Sequence, residues 1–300
     1  MNDSIVEFNS VSKSFGDHIA VNDVSFEVHR GRIFGLLGPN GAGKTTSIRM
    51  LTYILAPDSG KIRLFGKEVG PETQRLLGYL PEERGLYKKM KVGEQLVYLC
   101  RLKGIGLSEA RDSIRYWLKR FNAYEWIDKE VEELSKGMQQ KIQFVATIAH
   151  NPECLIFDEP FSGLDPINSE MLKEVILELR ESGKTIFFAT HRMEQVEQLC
   201  DDIALFNNGK LILSGDLNRI RTSYGKNSIR LRFTGDSSFL NKLENVRINN
   251  KSTNFAEMRL LDGADDQHIL KEAQKYVRVQ SFELIEPGIQ EIFIDSVSKK

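Results

Sequence analysis

The run Gly38-Pro39-Asn40-Gly41-Ala42-Gly43-Lys44-Thr45-Thr46 constrains the fold of this chain more than any other stretch. It fits G-x-x-x-x-G-K-[ST], a pattern in which glycines let the backbone wrap a phosphate with no Cβ in the way. Before it, Arg32-Ile33-Phe34-Gly35-Leu36-Leu37 is apolar enough for a buried strand, and Ser47-Ile48-Arg49-Met50-Leu51 after it reads as a helix. Strand, glycine loop and helix together aim successive N–H groups and the positive end of a helix at an anion. In that setting Lys44 reaches the outer phosphates as a point charge, and the Thr45 hydroxyl ligates the magnesium that bridges them.

The rest of the chain supplies the elements such a loop needs. Ile5-Val6-Glu7-Phe8, Val24-Ser25-Phe26-Glu27-Val28 and Lys61-Ile62-Arg63-Leu64-Phe65 carry strand character, the last two separated by the loop and the turn cluster Ala56-Pro57-Asp58-Ser59-Gly60. Residues from about 85 to 150 read as mainly helical, and Cys154-Leu155-Ile156-Phe157 and Thr185-Ile186-Phe187-Phe188-Ala189 as core strands. Strands alternating with helices predict an α/β fold built on a largely parallel sheet. Near residue 220 the character changes. The polar stretch Arg219–Lys226 reads as a linker between a first domain at 1–220 and a second at 221–300. The second has alternating strands at Ser228–Phe233 and Val277–Phe282 and a helical spacing of Ile289, Ile292, Phe293 and Val297, which predicts a small α+β domain.

Two further segments bear on the chemistry. Leu155-Ile156-Phe157-Asp158-Glu159-Pro160 puts two acids at the end of an apolar strand. Asp158 there suits a magnesium ligand and Glu159 a general base for the attacking water, although two solvated acids capping a turn have the same look. Leu134-Ser135-Lys136-Gly137-Met138 precedes a helical run, where Ser135 suits an N-cap and Gly137 exposes its N–H.

In this order, over about the first 215 residues, these motifs resemble the ATP-binding subunit of an ABC transporter. The resemblance implies a P-loop ATPase fold with a helical subdomain, ATP and Mg2+ as ligands, and ATP hydrolysis as the activity. Lys44 and Thr45 match the Walker A residues, Asp158 and Glu159 the Walker B aspartate and catalytic glutamate, and Ser135 and Gly137 the γ-phosphate contacts of the signature loop. Lys136 and Met138 depart from the usual glycine and glutamine of that loop. Ser162-Gly163-Leu164-Asp165 resembles the D-loop, His191 the switch histidine, and Phe15 the aromatic that stacks on adenine, although a ring at that place can also cover a sheet edge. Glu82, in Gly78-Tyr79-Leu80-Pro81-Glu82, stands where the family has a glutamine that touches magnesium and the attacking water. A carboxylate there is expected to serve as a metal or water ligand.

Because this chain has one set of motifs, the resemblance implies a head-to-tail homodimer with two ATP molecules between the copies, and a separate transmembrane permease. The helical region, with Tyr87, Tyr98, Tyr116 and Trp117, resembles the part that receives the permease. Phe282–Phe293 resembles the accessory domain that follows the ATPase in sodium-extrusion and ABC-2-type exporters. The implied place is the cytoplasmic face of the membrane, on the permease. A soluble ABC ATPase of translation or DNA repair and a non-hydrolysing regulator are the competing readings. Single cassette, absent zinc spacing and intact Lys44, Asp158, Glu159 and His191 weigh against them.

Composition agrees. A net charge of −1, from 41 basic and 42 acidic residues, gives no electrostatic argument for bulk nucleic-acid binding, and no nucleic-acid partner is expected. Met1-Asn2-Asp3-Ser4 lacks the look of a secretory leader, and no apolar run reaches the ~18–20 residues of a membrane span. Cys100, Cys154 and Cys200 are expected to be buried thiols of a reducing compartment.

Overall fold

The computed structural model describes residues 3–83, 85–261 and 263–298; Met1 and Asn2, where the leader was sought, lie outside them. The chain divides into two compact units, Met1–Gly215 and Asp216–Lys300. The break comes earlier than the one read from the sequence. The stretch taken for a linker is largely helix, because Leu217 is buried and the Asp216 carboxylate caps the turn by accepting from Arg219 N–H.

In chain order the first unit runs β1 (Ser4–Phe15), β2 (His18–His29), β3 (Ile33–Leu37), α1 (Lys44–Leu51), β4 (Ser59–Leu64), β5 (Lys67–Glu68), β6 (Leu77–Leu80), α2 (Val92–Leu102), α3 (Leu107–Arg120) and α4 (Lys136–Ile148). It continues with β7 (Cys154–Asp158), α5 (Pro166–Glu181), β8 (Thr185–Thr190), α6 (Met193–Leu199), β9 (Asp202–Asn207) and β10 (Lys210–Asp216). Helix α1 starts at Lys44, three residues before the expected Ser47, since the loop glycines end there.

Two sheets form. One is antiparallel, in the order β2-β1-β4-β5, and the other has the order β10-β9-β3-β8-β7-β6. Within the second, β9, β3, β8, β7 and β6 pair in parallel. Strands β3, β7 and β8 are buried at every position, which explains why they read as unbroken apolar runs rather than alternating ones. Rings join the layers. Phe8 stacks on Phe26 at 4.4 Å, Phe26 on Phe34 at 5.3 Å, and Phe34 meets Phe187 at 5.5 Å. The helical layer is joined to β7 the same way, through Phe121, Phe144 and Phe157, with centroids 5.5 and 4.8 Å apart. All three cysteines are buried free thiols.

The second unit runs α7 (Leu217–Ser223), β11 (Ser228–Thr234), β12 (Val246–Ser252), β13 (Phe255–Leu260), α8 (Asp266–Tyr276), β14 (Arg278–Ile285) and α9 (Ile289–Ser298). Its antiparallel sheet has the order β12-β13-β11-β14. Ile229, Leu231 and Phe233 alternate inward and form a separate core with Ala256, Met258, Ile269 and Ala273.

Candidate active site

The connection from β3 to α1 has its shape because three of its residues are glycines. Gly38 sits at φ 145°, and a Cβ there would lie 2.3 Å from the Phe206 carbonyl oxygen. Gly43, at φ 108°, leaves only 2.5 Å to the Ala20 carbonyl, and Gly41 turns at φ 77°. The loop is held from behind. Gly209 N–H donates to Ala42 O at 3.1 Å, and Asn22 N–H to Gly209 O at 2.8 Å. Lys44 opens α1 with its ammonium buried, donating to Gly38 O at 2.6 Å and Pro39 O at 3.1 Å. Burial lowers its pKa, and the nearby charges of Glu159, Asp158 and Glu82 oppose that shift.

The acids come from the carboxyl ends of the neighbouring parallel strands, where α/β sheets place their ligands. Asp158 ends β7, and Thr45 Oγ1 donates to its Oδ2 at 3.3 Å. Burial pushes the Asp158 carboxyl up to about 6; the Thr45 hydrogen bond works against this, and Glu82 and Glu159 add to it. Glu159 follows in the left-handed region at φ 50°, a conformation that costs a non-glycine residue roughly 1–3 kcal/mol. Its own N–H donates to Ala189 O at 2.9 Å. Its carboxylate faces the turn after β8. Oε2 accepts from the Thr190 hydroxyl at 3.1 Å, and Oε1 accepts from His191 N–H at 2.8 Å and lies 2.6 Å from His191 Nδ1.

These groups surround one cleft of about 330 Å³. Asn40 to Thr46 form its floor, Glu82, Asp158, Glu159 and His191 one wall, and Phe15, His18 and Ala20 its lip. The structure therefore brings together Phe15, the loop, Lys44, Thr45, Thr46, Glu82, both acids and His191. Gly38 and Pro39 stand behind the floor and hold Lys44. Ser135, Gly137 and Asp165 do not line the cleft. Ser135 caps α4, accepting from Met138 N–H at 3.3 Å, and Asp165 caps α5, accepting from Asn168 N–H at 2.9 Å. Gly137 has no positive φ, and a Cβ on it would meet only ordinary contacts, 3.7 Å from Gly163 O and 3.9 Å from Leu164. Nothing within the protomer requires a glycine there.

Several residues of the site escaped the sequence reading. His18 lies opposite Phe15 across the two-residue turn Gly16-Asp17, a signal readable from the strand character on either side. Gln140 donates to Pro160 O at 3.1 Å, and Gln143 donates to Pro81 O and Glu83 O, both at 3.2 Å. Both are buried polar residues on α4, and they tie it to the loops that carry Glu159 and Glu82.

The donor set suits a hard cation: the Thr45 hydroxyl, the Asp158 carboxylate and Glu82 in the same wall. Among the described residues no group of three His, Cys, Asp or Glu side chains stands ready to hold a metal ion. A cation here needs phosphate oxygens to complete its shell, as Mg2+ does in nucleotide sites.

Comparison with known proteins adds to this geometry. Residues 21–162 match the family described as ABC transporter, and residues 215–297 the one described as ATP-binding protein DrrA1-3-like, C-terminal domain. The chain is 43% identical to an uncharacterised ABC transporter ATP-binding protein of Bacillus subtilis, YhaQ, over 98% of each chain. It is 30% identical to the linearmycin resistance ATP-binding protein LnrL of the same organism, over 97% of each. A solved ATP-binding subunit of an ABC transporter superposes with a TM-score of 0.70 at 32% identity, covering 74% of this chain and 94% of that one.

Proposed function

This chain belongs to the ABC transporter family of ATP-binding subunits, which hydrolyse ATP to power transport, and we infer that it drives an exporter by closing on ATP as a homodimer. The observation that carries this reading is the convergence of Lys44, Thr45, Asp158, Glu159, His191 and Glu82 on one cleft from four parallel strand ends. The export direction rests on likeness to the Nod factor export ATP-binding protein I of Paraburkholderia xenovorans, which is 37% identical over 72% of this chain.

Phe15 stacks on the adenine at the lip, and the N–H groups from Gly41 to Thr46 receive the phosphates. Lys44 exchanges its two carbonyl partners for phosphate oxygens. Mg2+, when bound, neutralises phosphate charge, and Thr45, Asp158 and Glu82 are the residues that hold it. Glu159 accepts the proton of the attacking water, and His191 leaves Glu159 to hydrogen-bond the γ-phosphate.

The absence of any packing demand for a glycine at position 137 supports the dimer. A glycine in a helix costs about 1 kcal/mol relative to alanine, and here the protomer's own packing does not require it. Close approach of a second copy's γ-phosphate to the α4 N-terminus supplies the reason. Asp165 lies on the loop beside Gly137, where the partner copy meets it. Hydrolysis removes the γ-phosphate contact and loosens the pair, which converts chemistry into motion. A permease receives that motion at the membrane. No helix of the described residues is long and apolar enough to cross one.

Phosphate release tests the reading. Wild-type protein with Mg-ATP turns over, and Glu159→Gln loses about 10²–10⁴-fold while still binding nucleotide. Equal rates for the two would overturn the assignment of Glu159. Glu82→Gln keeps most of the rate; a collapse of about tenfold or more would mean the acid does something a glutamine cannot.

A further inference from the structure

We propose that the Thr190 hydroxyl positions Glu159 for hydrolysis, acting as a single-proton donor that holds the carboxylate at rest and releases it by turning to Gln195. The proposal rests on Glu159 being the general base.

Thr190 is the last residue of β8 and is fully buried. Its Oγ1 lies 3.1 Å from Glu159 Oε2 and 3.2 Å from Gln195 Oε1, and it accepts Arg192 N–H at 3.1 Å. A threonine hydroxyl carries one proton. Two acceptors at nearly equal distance therefore compete for it, while the Arg192 N–H pins the oxygen itself. Moving the hydrogen bond from one acceptor to the other takes only rotation of the hydrogen about the Cβ–Oγ1 bond; no heavy atom has to shift.

The consequence lies at Glu159. Oε1 is occupied by the backbone and ring of His191, and Oε2 by Thr190. Each carboxylate oxygen has two lone pairs. Both of those on Oε1 are engaged by His191, whereas Thr190 engages one on Oε2, which fixes where the other points and makes that oxygen a weaker base while the bond lasts. Turning the hydroxyl to Gln195 returns Oε2 to full basicity with the carboxylate already in place. Gln195 sits in the first turn of α6, four residues after His191, so movement of the switch turn reaches both donors at once. A buried strand-end hydroxyl with no role beyond packing needs one acceptor, and a backbone carbonyl suffices. Here its two acceptors are a reacting carboxylate and a neutral amide, and the hydroxyl keeps its proton whichever of them accepts the hydrogen bond.

The test is steady-state phosphate release by the full chain, with binding of a fluorescent ATP analogue measured alongside and Glu159→Gln as reference. Thr190→Ser keeps kcat within about twofold, and Thr190→Val lowers it about tenfold with KM and analogue affinity unchanged within about twofold. Gln195→Met lowers kcat in the same way, and Gln195→Glu, which retains an acceptor, does not. Full kcat in Thr190→Val overturns the proposal. So does failure of Thr190→Ser to restore the rate, or a fall in affinity that matches the fall in kcat. If Thr190→Val does not fold, as thermal melting shows, the Gln195 pair decides alone: equal kcat in Gln195→Met and Gln195→Glu overturns it. The two readings fail separately. An active Glu159→Gln removes the general base, whereas an inactive Glu159→Gln beside a fully active Thr190→Val removes only the role of Thr190.

Discussion

At Asp158 burial holds the carboxyl protonated up to about pH 6, against 3.8 when exposed. Between those values the native state binds more protons than the unfolded one, so this residue adds stability as pH falls from 6 toward 4 and the addition is gone above 6. His150 does the reverse. Burial, helped by the charge of Lys103, pushes its imidazole down to about 4 from 6.5, against the contact of its Nε2 with Leu77 O at 3.2 Å. The unfolded state then binds the extra proton, and stability present above 6.5 is lost as pH drops through 4. The two contributions oppose each other over the same window, each about 1–3 kcal/mol at most. Against wild type, Asp158→Asn should therefore lose more stability between pH 6.5 and 4, and His150→Gln less. Melting temperature measured across that range checks both signs; shifts in the same direction for the two variants contradict the assignment. The Asp158 carboxyl must also be ionised to serve a cation, so the affinity for Mg2+ in the presence of ATP falls below about pH 6.

Helix α4 shows what an element takes from sequence and what it takes from packing. Its start was legible, since Ser135 before a helical run is a cap by its own chemistry. Gln140 and Gln143 were not, because their partners, Pro160, Pro81 and Glu83, come from strand ends that only the fold brings near. Ser135→Ala is predicted to cost about 1 kcal/mol of stability, read by denaturant unfolding. If the serine also grips a partner's phosphate, ATP-dependent dimerisation weakens by much more than that. Strand β6 meets α4 so closely that a Cβ on Gly78 would lie 2.4 Å from Thr147 O, a backbone atom that cannot step aside. Gly78→Ala should destabilise the first unit by about 1–3 kcal/mol and displace the loop carrying Glu82, which analogue binding detects. In the second unit α9 is held by charge. Arg259 pairs with Glu291 and Asp295, both at 3.1 Å, and Arg247 reaches Asp295 at 2.9 Å. Arg259→Met leaves two buried carboxylates short of a partner and should cost about 3–5 kcal/mol, seen as faster hydrogen exchange in α9. Unchanged exchange there would mean that apolar contacts such as Ile289 and Ile292 hold the helix alone.

Across the whole molecule, the parallel sheet was readable because β3, β7 and β8 are buried on both faces and leave their mark as short apolar runs, followed by Gly38, by Asp158 and Glu159, and by Thr190 and His191. The break between the units was harder to place, because a polar stretch that caps and forms a helix looks like a linker until Leu217 is seen to be buried. The deeper gap concerns residues whose purpose lies outside one copy. Ser135, Gly137 and Asp165 stand away from the cleft, and Gly137 has no packing reason to be glycine. A second protomer bringing them to the phosphates accounts for all three. Light scattering on size-separated Glu159→Gln protein tests this directly. With saturating Mg-ATP the particle should have twice the chain mass, returning to single-chain mass with Mg-ADP or when Ser135→Ala is added. A single-chain mass in Mg-ATP, both alone and with the permease present, would contradict the account.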